Sequence, residues 1–127
     1  MLELEILGES ALEEAELRRL CTIAAAAAGV ADGHIAIEFV GAARIGELNA
    51  RFRGRPRPTD VLSFPVDGAE PLDGARELGD IVICPEHTVD VREAVIHGML
   101  HLLGMDHEVD DGEMLALQRD LLAAEPG

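Results

Sequence analysis

His97, His101 and His107 are three of the five histidines in this 127-residue chain and fall within one run, HGMLHLLGMDH. A spacing of four places the imidazoles of His97 and His101 on one face of a helix, a turn apart. Leu100, Leu102 and Leu103 supply apolar flanks that can bury that helix. Gly104 can take the left-handed conformation that stops a helix, so the chain can return with His107 to the same point in space. Three neutral imidazoles converging from a helix and the turn after it suit a catalytic zinc ion whose fourth position is left to water. The alternative is a buried amphipathic helix with incidental histidines, and the spacing together with the glycine favours the metal. Asp106 either orients an imidazole or caps the following turn. Glu108, Asp110 and Asp111 read as a solvated helix start favoured by the helix dipole. His34 and His87 lie outside the pattern and read as a surface residue and a loop residue.

What such a site hydrolyses depends on its neighbours. The run matches the zinc-peptidase pattern HExxHxxGxxH at each fixed position except one, where Gly98 stands in place of the general-base Glu. Glycine can neither take a proton from water nor deliver one to a leaving amine, which argues against amide hydrolysis. A phosphodiester depends less on that shuttle and more on positive charge around the phosphate. Arg51, Arg53, Arg55 and Arg57 alternate through a seven-residue stretch without an acid. By itself this is as well read as a solvated loop; beside a metal it becomes the natural phosphate contact, because guanidinium offers a permanent charge and a fork of donors.

The rest of the composition restricts the partners. A net charge of −15 repels phosphate in general, so any nucleic-acid contact must be local to the arginine stretch and sensitive to salt. No apolar run is long enough for a membrane span, and the acidic N-terminus is unlike a signal peptide, so a cytoplasmic location is expected. Cys21 and Cys84 form no CxxC pair and read as reduced core thiols.

The elements that must position the histidines follow from periodicity. Leu2–Leu7 alternates as a strand. Ser10 with Glu13 forms a capping box, predicting a helix over Ala11–Ala28 that stops at Gly29. His34–Val40 is a second strand and Gly41–Phe52 a short helix. Pro56 and Pro58 then force an extended loop. Val61–Phe64 is a strand ended by Pro65, Asp67–Gly74 an exposed excursion, and Leu78–Cys84 a buried strand. Thr88 or Asp90 caps the helix that enters the histidine run, and a last helix starts at Asp110–Gly112. The order β-α-β-α-β-β-α-α implies an α/β or α+β sandwich: a mixed sheet packed with helices, in one domain over residues 1–127, with the metal in a cleft.

The histidine run resembles the signature of the bacterial YbeY family of metal-dependent endoribonucleases, also called rRNA maturation factors. Three further blocks match in order: Leu48-Asn49 with Phe52-Arg53, then Pro58 through Pro65, then Leu78-Gly79-Asp80-Ile81. The resemblance implies one zinc ion per chain held by His97, His101 and His107, with Arg53 contributing to activity on RNA. It implies action on precursor ribosomal RNA rather than DNA, at the 3′ end of the small-subunit RNA and in ribosome quality control, with the small ribosomal subunit as partner. It also implies an α/β sandwich with the metal between the motif helix and the sheet. One departure stands out: only Pro85–Ile96 separates the LGDI strand from the histidines, where the family carries a longer helical connection. Two other readings stay open, a degenerate zinc peptidase-like hydrolase and a non-catalytic, metal-stabilised ribosome-associated factor.

Overall fold

The computed structural model describes residues 2–66 and 77–124. Four strands, β1 (Leu2–Leu7), β2 (Gly33–Phe39), β3 (Val61–Pro65) and β4 (Glu77–Ile83), form one sheet in the order β1-β2-β4-β3. β1, β2 and β4 run parallel, and β3 returns antiparallel beside β4, so the sheet is mixed as expected. The helices are α1 (Glu14–Ala27), α2 (Ala42–Arg53), α3 (Val91–Leu102) and α4 (Glu113–Ala124), with a 3-10 turn at Pro85–His87. This is the α+β sandwich and the element order anticipated from the sequence.

Strand alternation decides which helix packs where. Along β4, Ile81 and Ile83 point into the larger core with residues of α1, α3 and α4, while Val82 and Cys84 join Ile45 and Leu48 of α2 in a smaller core. The sheet is therefore covered by α1 and α3 on one face, with α4 packed on α3, and by α2 on the other. Leu17, Leu20, Ile35, Ile37, Ile96, Met99 and Leu100 are fully buried in the larger core. Side chains of this size contribute about 1.5–3 kcal/mol each when removed from water.

α3 carries the histidine run through the middle of this layer. Asp90 caps it, accepting from the backbone N–H of Arg92 at 3.0 Å and of Glu93 at 3.4 Å. Thr88 instead donates to the Cys84 carbonyl at 2.6 Å. Burial extends over most of the helix: Val95, Ile96, Gly98, Met99 and Leu100 are buried, while the first turn (Val91, Arg92, Glu93) and the two histidines are partly or fully open.

Two expectations need correction. The capping box does not form: the Ser10 hydroxyl is engaged with the backbone of Leu12, and α1 begins at Glu14 behind Glu13, which makes no side-chain cap. A local Ser turn thus competed with the helix start and won. The arginine stretch is also not wholly a loop, because α2 continues through Arg53 and ends at Gly54. The excursion read at Asp67–Gly74 lies outside the described residues. Both cysteines are free and buried, and burial pushes the Cys21 thiol up to about 12, so it is inert near neutral pH.

Candidate metal centre and cleft

His97 and His101 sit one turn apart on α3 and turn their Nε2 atoms toward each other, 3.2 Å apart. Each is fixed from behind. His97 Nδ1 lies 2.7 Å from the Gln118 side-chain oxygen, and His101 Nδ1 lies 3.0 Å from the Met105 carbonyl. Both acceptors call for Nδ1–H, which leaves two Nε2 lone pairs facing one another. That arrangement is unfavourable by itself and becomes favourable with a cation between them.

The turn brings in the third ring. α3 ends with Gly104 in the left-handed region, φ +99°, and Met105 N–H bonds back to the Leu100 carbonyl at 3.0 Å. His107 then stands with its ring centroid 5.1 Å from that of His97 and 5.2 Å from that of His101. One ligand nitrogen from each histidine can be chosen so that all lie within 4.8 Å of one another, a geometry that can hold a metal ion. His107 Nδ1 is buried and has no hydrogen-bond partner among the described residues, as suits a nitrogen directed at an ion. Burial, and next the neighbouring His97, hold the His101 imidazole below its ordinary value of 6.5. The neutral imidazole is the form that binds metal.

These rings line a cleft of about 730 Å³ that runs from the turn after α3 to β3 and the end of α2. Arg53 and Arg55 also line it, but Arg51 and Arg57 do not. Two residues apart on a helix, Arg51 and Arg53 point in divergent directions. Arg51 lies over the Phe52 ring, 5.7 Å from its centroid. The Arg57 carbonyl accepts from the buried Asn49 side chain at 2.9 Å, which pins the loop to α2. Arg53 reaches back across the mouth of the cleft, 3.7 Å from the Glu108 carboxylate beside the third histidine.

Gly98 has a steric role that the sequence did not reveal. A Cβ placed there would stand 2.8 Å from Cγ2 of Ile81, so the position faces the sheet at close range and no carboxylate fits. Asp106 caps the turn, accepting from the Glu108 N–H at 2.9 Å. His34 pairs with Glu77 at 2.8 Å, and His87 is exposed in the 3-10 turn; neither joins the cluster. Gln118 and Asn49 were not anticipated. Gln118 could have been suspected as the polar residue within the apolar stripe Met114, Leu117 and Leu121 of α4.

The family model for Endoribonuclease YbeY matches residues 7–94. The chain belongs to the YbeY family. The Endoribonuclease YbeY of Pseudomonas entomophila is 41% identical over 140 residues, covering 97% of this chain and 88% of its own. That of Clavibacter michiganensis subsp. michiganensis is 38% identical over 143 residues, covering 95% of this chain and 94% of its own. The YbeY of Mycolicibacterium vanbaalenii is 38% identical over 144 residues, at 94% and 78% coverage. These alignments are longer than the 127 residues of the chain, so the relatives hold residues that it lacks. The solution structure of TM1509 from Thermotoga maritima is similar at TM-score 0.59 and 31% identity, covering 94% of this chain and 86% of that one. Among the described residues, no helix is long and apolar enough to cross a membrane.

Proposed function

We propose that residues 1–127 form a single zinc-dependent endoribonuclease domain. It acts in the cytoplasm on single-stranded segments of precursor ribosomal RNA, in small-subunit 3′-end maturation and ribosome quality control. The observation that carries this reading is one cleft lined by His97, His101 and His107 together with Arg53. Membership of a family of endoribonucleases supports the substrate class.

His97, His101 and His107 are the residues that would hold the ion. Zinc in a site of three imidazoles supplies Lewis acidity and brings the pKa of water to about 7. Arg53 binds a phosphate oxygen of the chain lying in the cleft, and Arg55 adds a second positive charge at the same end. The exchange of Arg53 from the Glu108 carboxylate to phosphate is cheap, since exposed ion pairs contribute only about 0–1 kcal/mol. The acidic remainder of the molecule confines RNA to this end. A peptidase-like mechanism is disfavoured twice at Gly98, which lacks a carboxylate and has no room for one.

The test is elemental analysis of the purified protein together with cleavage of precursor ribosomal RNA. One zinc per chain and RNA cleavage are expected for the wild type, with both lost in His101→Ala. Cleavage by metal-free His101→Ala would overturn the reading. Metal-dependent stability without cleavage in single-turnover assays would favour the non-catalytic factor.

A further inference from the structure

We infer that Gln118 is a positioning residue for the metal centre, its side-chain oxygen fixing His97 as the Nδ1–H tautomer so that Nε2 is the atom offered to the ion. The inference rests on the proposed metal site. Gln118 is 8% exposed and lies on α4, a different element from the histidines, yet approaches His97 Nδ1 at 2.7 Å. A buried primary amide among apolar neighbours is costly unless its polar atoms are used. Here its oxygen faces the back of an imidazole whose front faces another imidazole at 3.2 Å.

His101 receives the same service from the Met105 carbonyl, which no substitution can remove. His97 depends on a side chain. Docking of α4 on α3 is therefore what completes the site, and Met114, fully buried one turn before Gln118, is the anchor that sets the amide's height. An amide rather than a carboxylate behind the ligand also has a consequence. It orients the ring without adding a negative charge, leaving the ion's positive charge available to an anionic substrate.

The experiment compares wild type, Gln118→Leu, Gln118→Glu and His101→Ala. Zinc affinity is measured by competition with a chromophoric chelator, and the ring nitrogens of zinc-loaded wild type are assigned by long-range ¹H–¹⁵N correlation. Gln118→Leu is expected to bind zinc about 10- to 100-fold more weakly, with the thermal midpoint of its metal-free form held. Gln118→Glu, which restores the acceptor, should return affinity to within a few-fold of wild type. In the wild-type spectrum His97 should carry its proton on Nδ1 and ligate through Nε2. Wild-type affinity in Gln118→Leu, a Gln118→Glu variant as weak as Gln118→Leu, or ligation of His97 through Nδ1 would each overturn the inference. If Gln118→Leu does not fold, the wild-type spectrum decides alone. Failure of the wild type itself to bind zinc would instead remove the metal site, and this inference with it.

Discussion

At the histidine end of the cleft, His97 and His101 are each tied through Nδ1, and all the rings are half-buried on or just after a helix embedded in the core. At the arginine end, Arg53 is exposed on the last turn of α2 and, among the described residues, meets the Glu108 carboxylate at 3.7 Å. The first end is pre-organised: little entropy remains to be lost when an ion binds. The second is a long side chain in water, able to follow a substrate, and its attraction is screened by salt. One end is built for a small cation of fixed geometry, the other for a flexible polyanion.

Acid should separate the two ends most widely. All three imidazoles must be neutral to hold the ion, so zinc affinity should fall as the solution is made acidic. RNA binding through Arg53 should keep its salt dependence over the same range, since guanidinium does not titrate there. The metal-free protein should lose stability in parallel. His101 titrates below 6.5 when folded, so the unfolded chain takes up its proton first as pH falls through about 6.5. That loss should level off below the folded-state value of His101. Chelator competition and thermal melts across pH check both, and a pH-independent zinc affinity would break the contrast.

Gly98→Ala should come next. Its Cβ would press on Ile81, which is fully buried, at 2.8–3.2 Å, and overpacking of this kind costs about 1–3 kcal/mol. Urea denaturation should show that loss, and zinc affinity should fall with it as α3 lifts from the sheet. Unchanged stability would mean that the histidine end is less rigid than its packing implies.

Arg53→Ala should weaken RNA binding about tenfold and flatten its salt dependence by roughly 0.7 in log–log slope, the increment for one contact to a single strand. Zinc affinity should not move. The smallest effect belongs to Glu108→Gln, which frees Arg53 from its carboxylate: a tightening of RNA binding of a few-fold or less is expected by filter binding or anisotropy. A larger gain would show that Glu108 holds the arginine end more firmly than an exposed pair should.

His97, His101 and His107 were legible because their geometry is local. The helix period aligns the first two, and a glycine in the turn returns the third. Strand order along the chain and the mixed sheet were legible for a similar reason, through alternation and the proline and glycine stops. The α1 start was misread because Ser10 had an equally local alternative in its bond to Leu12, which the sequence pattern does not rank against a capping box.

Tertiary packing decided the rest. Which arginines enter the cleft depended on where α2 stops, and α2 runs two residues past Arg51 before Gly54 ends it. Gly98 read as a missing base, but its position is set by Ile81 on a strand seventeen residues away in sequence. Gln118 behind His97 and Glu108 against Arg53 depend on how α4 and the end of α2 dock around the site. The sequence by itself determined which groups can bind the ion, since helix period and turn chemistry act over a few residues. Only the tertiary structure decided which groups hold them in place, because those contacts form between segments that the chain keeps far apart.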